Sequence, residues 1–152
     1  MINIPDKIYD RNINDVEIGL SEIHLYSKEE IKEAQLGYSV NSDGNKITDW
    51  LGDNYVVIGN DSCCGDPIIT DIFNEKLPVY IMFHDDWDSL RQIADNFELY
   101  IDILNKIDST DLSREIEKNR LISNIKAMSL TEDEEDYWNS MIEFAYEFLN
   151  GL

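Results

Sequence analysis

The chain has 152 residues, 43% hydrophobic and 29% charged, which is typical of a globular domain and not of a disordered segment. It carries 32 Asp and Glu against 12 Lys and Arg, for a formal net charge of −20. Direct binding to nucleic acid or to an anionic membrane depends on Lys and Arg, so the charge argues against both. A protein with a basic face is the natural partner, although acidity of this kind can also serve solubility alone.

The cysteine and hydropathy patterns predict a cytoplasmic protein. The N-terminus lacks a basic start followed by an apolar stretch, and no apolar run is long enough to span a bilayer. Cys63 and Cys64 are adjacent, and neighbouring cysteines rarely form a disulfide because its geometry strains the peptide between them. We therefore expect two reduced thiols and a single domain over residues 1–152.

The first elements in the chain are weakly marked. Residues 1–18 are polar without clear periodicity and are predicted to form a tail or an irregular edge. Alternation around 23–25 predicts a short edge strand. His24 lies within it, with no partner nearby in the sequence.

The next segment carries helix and turn signals. Ser27 and Glu30 have the spacing of a capping box and predict a short helix over 28–36, which Gly37 ends. Residues 41–49 are rich in Asn, Asp and Gly and are predicted to be a loop.

Three strands and three helices are predicted after this loop. Segments 55–58, 67–72 and 78–83 are short, rich in β-branched and aromatic residues and closely spaced, which favours an antiparallel meander. Apolar residues at steps of three and four predict helices over 89–107 and 112–128. A third helix opens at a capping box and carries an apolar band wide enough for deep burial or an interface. The expected fold class is α+β, a mostly antiparallel sheet with helices packed on it plus two C-terminal helices.

One candidate site is the polar segment 60–71, which contains Asp61, Asp66 and Asp71. Its spacing is not that of a calcium loop, because no bidentate Glu ends it. Gly65 supplies an unusual backbone angle and Asp66 can bond its own turn, so we favour a structural turn over a metal site. No cofactor or metal is predicted.

A second candidate is the run from His84 to Asp88, which includes Asp85, Asp86 and Trp87. A His beside carboxylates can be a general base or a metal ligand, but the same string suits a strand-to-helix turn. No Ser has the glycine context of a nucleophile elbow, and an acidic neighbourhood makes a thiol a poorer nucleophile. A metal-dependent hydrolase using Asp66, Asp71 and His84 is the less favoured alternative to a protein that is not an enzyme.

The order of these motifs resembles the SUKH superfamily, which includes yeast cell-wall-assembly regulators, the bacterial Syd protein and bacterial toxin-immunity proteins. The resemblance covers about residues 19–107. Upstream, IHLYSKEEI looks like the family's segment of a strand and a short helix. The following features carry the rest, in order: a strand ending in Ile58-Gly59, Gly65-Asp66 before a second strand that ends at Asp71, Pro78-Val79-Tyr80 opening a third strand with His84-Asp85 after it, and the helix signature Ile93-Ala94-Asp95-Asn96-Phe97. Residues 1–20 lack the family's usual opening, and residues 108–152 form a C-terminal helical extension beyond the likeness.

This resemblance implies a non-catalytic binding fold whose bacterial members neutralise a toxin, often a nuclease, by direct contact. A nuclease presents a basic face to its substrate, and an acidic protein can occupy that face. The candidate partner-binding residues are Asp61, Asp66, Asp71, Asp85, Asp86 and Trp87. The alternative is a regulatory or scaffold module with an endogenous protein partner.

Overall fold

A six-stranded antiparallel sheet forms the centre of the protein, seen in a computed structural model that describes residues 3–152. Its strands lie in chain order: β1 (Asp15–Ile18), β2 (Ser21–Leu25), β3 (Tyr55–Asp61), β4 (Asp66–Asp71), β5 (Val79–Phe83) and β6 (Asp86–Ala94). Three helices follow: α1 (Phe97–Asp108), α2 (Glu115–Lys126) and α3 (Glu132–Leu149). The predicted α+β class, the antiparallel sheet and the two C-terminal helices are confirmed. No helix among residues 3–152 has the length and apolar character needed to cross a membrane.

The helices cover one face of the sheet and form the main core with it. Helices α1 and α3 both reach from β1 to β6, and α2 packs on α3 and α1. Trp138 of α3 is buried at the centre, and its indole N–H donates a 2.8 Å hydrogen bond to the carbonyl of Ile93 in β6. The indole N–H is the only polar group of this side chain. Because it is hydrogen-bonded, Trp138 can be buried without leaving an unpaired donor.

The N-terminal segment packs on the core and ends in the edge strand β1, so the prediction of a tail was wrong for residues 3–18; residues 1–2 lie outside the described part. The alternative of an irregular edge fits residues 9–14, which form no helix or strand, but not β1. A one-turn 3-10 helix at Asp6–Ile8 precedes β1, which pairs with β2 as a hairpin. In β1 charged and apolar residues alternate, but four residues are too few for a clear signal of period two. Buried apolar side chains join this segment to the core: Ile8, Ile13, Val16 and Ile18.

The tight turn between β1 and β2 lies directly against α3. Ile18 pairs with Ser21 across a two-residue turn, and Gly19 has φ of 63°. A Cβ atom at Gly19 would lie 2.6 Å from Cα of Ala145 in α3. Both the left-handed backbone and this close approach therefore require glycine.

The capping box at Ser27 is real, but the helix predicted after it is not. The Ser27 N–H donates to the Glu30 carboxylate at 3.0 Å, and the Glu30 N–H donates to the Ser27 hydroxyl at 3.2 Å. Turns and a 3-10 helix at Glu33–Gln35 follow instead of an α-helix. A single α-helix of nine residues is marginal by itself, and contacts with the sheet decide this segment's shape. Gly37 ends it with φ of 85°, as expected.

The prediction of one helix over 89–107 was wrong in its first third, because that part forms β6. Ile81 of β5 pairs with Arg91, and the strand runs on to Ala94. The helix α1 begins only after Asn96, whose side chain accepts a 2.8 Å hydrogen bond from the Leu99 N–H. The apolar spacing fits a helix, but pairing with β5 overrides it, as tertiary contacts often override local preference.

The C-terminal helices follow the prediction more closely. Helix α3 has the expected capping box, in which Thr131 and Glu134 bond each other's backbone N–H groups. One part of its apolar band is buried, with Trp138, Ile142 and Ala145, and another part is exposed. Three large apolar side chains of α3 are about half exposed: Phe144, Phe148 and Leu149. Helix α2 is shorter than the predicted span of 112–128.

His24 has two partners, although none was expected from its sequence neighbours. Its Nδ1 lies 2.6 Å from the Asp15 carboxylate of β1, and its Nε2 lies 3.0 Å from the Glu30 carboxylate. Partial burial lowers the pKa of His24, but the hydrogen bonds to Asp15 and Glu30 and their charges outweigh it, so the pKa is raised above 6.5. β1 is the edge strand, and β2 lies inside the sheet.

Replacing Gly19 by Ala is expected to lower the free energy of unfolding by about 2–4 kcal/mol, because the left-handed backbone and the clash with α3 both cost energy. Gly44→Ala is the matched control, since Gly44 has φ of 81° but open space around its Cβ position. Gly44→Ala should lower the free energy of unfolding by about 1–2 kcal/mol, the cost of the left-handed backbone alone. Urea unfolding of both variants makes the comparison, and equal losses would contradict the packing argument.

The His24 contacts predict a pH dependence. Glu30 has a pKa lowered to about 2, chiefly by the Ser27 backbone N–H and then by His24, so its share of stability is lost as pH falls from 4.5 toward 2. The contribution of protonated His24 to stability is fully present below pH 6.5 and is lost as the pH rises through its raised pKa. NMR titration should find the His24 pKa above 6.5 and lower in Glu30→Gln. It should be unchanged in Glu29→Gln; a pKa insensitive to Glu30→Gln would be the contrary result.

Candidate functional site

The second face of the sheet is covered by the β2–β3 connection, residues 26–54, and not by helices. Val56 and Ile58 face the helical core, whereas Val57 between them faces the other way. Val57, Ile69 and Met82 form a small buried cluster there. Partly buried apolar side chains surround it: Tyr26, Tyr38, Trp50, Leu51, Tyr55, Tyr80, Trp87 and Leu90.

Gln35 attaches the β2–β3 connection to the sheet. β2 pairs with β3 only from Gly59 to Asp61, so the β3 backbone at Val57 has no strand partner on that side. The Gln35 amide supplies one: its Nε2 donates to the Val57 carbonyl at 2.7 Å, and its Oε1 accepts from the Val57 N–H at 3.0 Å. A second bond from Nε2 to the Ile31 carbonyl, at 2.8 Å, fixes the amide. The buried side chain thus takes the place of a strand at this point.

An aromatic trio lies where the connection meets β6. Trp50 and Trp87 meet edge to face with ring centroids 5.3 Å apart, and Tyr38 lies 5.8 Å and 6.4 Å from them. The Trp50 indole donates to the Tyr55 carbonyl at 3.1 Å. Burial, and then the charges of Tyr26 and Asp66, raise the pKa of Tyr38, so its phenol stays protonated. Trp87 is therefore held by two ring neighbours while remaining partly exposed.

A shallow surface groove of about 480 Å³ opens beside this trio. Six residues line it: Asp49, His84, Asp85, Asp86, Trp87 and Asp88. We refer to them as the acidic groove. Its walls come from two separate segments, the β2–β3 connection and the hairpin of β5 and β6, so Asp49 reaches the other carboxylates only through the fold.

The His84–Asp88 run forms the turn and first residues of a β-hairpin, not the predicted strand-to-helix turn. Phe83 pairs with Asp86 across the turn. The Asp86 carboxylate accepts a hydrogen bond from the Asp88 N–H at 3.1 Å. Asp66 of β4 accepts from the His84 N–H at 3.1 Å and lies 3.2 Å from His84 Nδ1. Asp66 therefore ties this turn to the neighbouring hairpin.

The other hairpin, between β3 and β4, is a structural turn, in agreement with the preferred prediction. Gly65 has φ of 74°. The carboxylate that bonds its own turn is Asp61, which accepts from the Cys63 N–H at 3.0 Å, and not Asp66 as predicted. The pKa of Cys64 is raised, first by hydrogen bonding and charge from Cys63 and to a smaller extent by Asp66 and Asp61.

Only three of the six candidate residues, Asp85, Asp86 and Trp87, line the acidic groove. Asp61 and Asp66 lie on the neighbouring β3–β4 hairpin, and Asp71 lies apart from all of them. Asp61 pairs with Asp66 at one end of the β3–β4 hairpin, whereas Asp71 pairs with Tyr55 at its opposite end. Asp66 and Asp71 are five residue steps apart along β4, roughly 16 Å at the usual rise. The hydrolase ligand set of Asp66, Asp71 and His84 is therefore not brought together. Among residues 3–152, no group of three His, Cys, Asp or Glu side chains could hold a metal.

Among residues 3–152, no Lys or Arg forms an ion pair with a carboxylate of the acidic groove. Every ion pair that Lys or Arg makes among residues 3–152 involves a carboxylate outside the groove. Arg91, for example, pairs with Asp133 of α3, and Lys46 pairs with Asp53. The four aspartates of the groove therefore produce a concentrated negative potential at one end of the sheet.

Sequence reasoning missed four residues of this region: Asp49, Asp88, Tyr38 and Trp50. Asp88 lies inside the His84–Asp88 run, but it was not among the candidate partner-binding residues. Asp49 and Trp50 follow a turn-rich loop, and a tryptophan next to such a loop was the available signal. Nothing local indicated that the loop would fold onto β6.

Comparison with family models, curated proteins and solved structures finds no match for this chain. The SUKH resemblance therefore stays a prediction.

Gln35→Ala is expected to lower the free energy of unfolding by about 2–4 kcal/mol, because it leaves the buried Val57 N–H and carbonyl unpaired. The near-ultraviolet circular dichroism of the Trp50–Trp87 pair should weaken as the connection loosens. Glu33→Ala, at an exposed position of the same 3-10 turn, is the control and should change stability by less than about 0.5 kcal/mol. Equal behaviour of the two variants would exclude the role given to Gln35.

Proposed function

We propose that the protein is a non-catalytic, immunity-type protein that neutralises a cognate toxin by direct contact, with the acidic groove as its binding site. The observation that supports this most directly is the groove itself: four aspartates beside a partly exposed tryptophan, with no Lys or Arg of the described residues paired to them. The net charge of −20 and the SUKH resemblance point in the same direction.

The charge of the groove suits a basic partner face. Carboxylates already paired with Lys or Arg within the chain have little attraction left for a partner, whereas those of the groove keep theirs. Opposed potentials steer encounter and raise the association rate, an effect that weakens with salt. A nuclease toxin has such a basic face, because it must bind phosphates.

Trp87 is the proposed anchor of the contact. Tight interfaces depend on a few aromatic or charged side chains that become fully buried, while most surrounding contacts are close to neutral. Trp87 is held by Trp50 and Tyr38 before any partner arrives, so little conformational entropy is lost on binding. An Arg or Lys of the partner that reaches the groove would meet the tryptophan ring and carboxylates together.

A regulatory or scaffold module with an endogenous basic partner is the second candidate. The half-exposed apolar side chains Phe144, Phe148 and Leu149 on α3 offer it a second contact surface, far along the chain from the groove. Protection of cells separates the two functions. An immunity protein rescues cells that express the toxin, whereas a scaffold does not.

The test takes the product of the gene next to this protein's own as the candidate toxin. It measures binding to that product and protection of cells that express it. Asp85→Lys should slow association by about tenfold at low salt, and Trp87→Ala should speed dissociation by about tenfold or more. Both should reduce the survival of cells that co-express the toxin.

Glu75→Lys and Phe73→Ala are the matched controls, since both residues are exposed in the loop after β4, at the opposite end of the sheet. They should leave rates and survival unchanged, with circular dichroism confirming that all four variants fold. Failure of the wild-type chain to bind or protect would refute the proposal. Equal effects of the control and groove variants would move the site elsewhere.

A further inference from the structure

Two adjacent thiols lie at the tip of the β3–β4 hairpin. Cys63 and Cys64 are both exposed, and their sulfur atoms are 3.9 Å apart. The tip projects between Asp61, which is mostly buried, and Asp66, whose side chain is 15% exposed. No part of the function proposed above uses these thiols.

The sulfur separation matches that of two thiolates sharing one tetrahedral ion. With metal–sulfur bonds of about 2.3 Å and a tetrahedral angle, the two sulfurs lie about 3.8 Å apart. The observed 3.9 Å therefore requires almost no movement of either side chain. Thiolates also select zinc over the oxygen-preferring Mg²⁺ and Ca²⁺.

A disulfide is the competing outcome, and the backbone disfavours it. Consecutive Cα atoms lie about 3.8 Å apart, whereas disulfide-linked Cα atoms usually lie at about 4.4–6.8 Å. A bond between these neighbours would be strained and therefore easily reduced. The pair is expected to persist as two thiols under reducing conditions.

We propose that Cys63 and Cys64 form a two-sulfur site for a thiophilic divalent cation, Zn²⁺ in the first instance, at the tip of the β3–β4 hairpin. Each S–H bond breaks, each sulfur forms one bond to the ion, and two protons leave to solvent. The zinc stays divalent, and no electron is transferred.

The surroundings favour a cation at this tip. The Asp61 carboxylate accepts a hydrogen bond from the Cys63 N–H, which places its negative charge close to the pair. The described residues provide no third ligand, so water completes the coordination and the site stays open.

The experiment titrates Zn²⁺ alone into the full chain, in competition with a chromophoric chelator and with a phosphine as reductant. We expect one ion per chain and release of about two protons, read from calorimetry in two buffers. Cys63→Ser and Cys64→Ser should each weaken binding by about tenfold or more. Glu75→Gln, an exposed carboxylate at the other end of the sheet, should leave it unchanged.

Three results would overturn the proposal. Binding that survives either serine substitution within about twofold would indicate carboxylate binding only. One ion per two chains would indicate an intermolecular bridge. Absence of proton release would show that the sulfurs are not ligands. Both cysteines are exposed, so the serine variants are expected to fold, which circular dichroism checks.

Discussion

The arrangement of the candidate site depends on one side chain, Gln35. Where β2 leaves the sheet, β3 would present an unpaired N–H and carbonyl at Val57 in a buried position, and such groups are costly to leave unpaired. A single primary amide has both a donor and an acceptor at the spacing that a strand would provide, and Gln35 uses both. The β2–β3 connection is thereby placed over the second face, and with it Tyr38, Asp49 and Trp50.

The two faces of the sheet therefore have different roles. The helices close the first face around a large core, where Trp138 bonds to the β6 backbone and Gly19 allows the first hairpin to approach α3. The second face has only a small buried cluster and an irregular cover. An irregular cover leaves edges and gaps that regular helices would close, and the acidic groove is such a gap.

The sequence predicted elements well where a signal was local and complete. The capping box before α3 and the turn at Gly65 need only a few neighbouring residues, and both were found. The start of α1 was missed, because the apolar spacing before Asn96 fits a helix, and pairing with β5 overrides it. Asp49 reaches the groove through a loop whose position on the sheet depends on Gln35. No local or periodic signal in the sequence connects these two residues.

The candidate aspartates show why acidity alone could not define a site. Asp66 and Asp71 lie at the two ends of β4, so two residues that are close in sequence are separated by the full length of a strand. Among residues 3–152, the internal ion pairs use other carboxylates, which leaves the charge of the acidic groove available to a partner. Charge of this kind governs how fast a basic partner arrives, whereas the lifetime of a complex depends on a buried anchor. Trp87 is fixed by its aromatic neighbours inside that field, so in the proposed complex both properties arise from the same few residues.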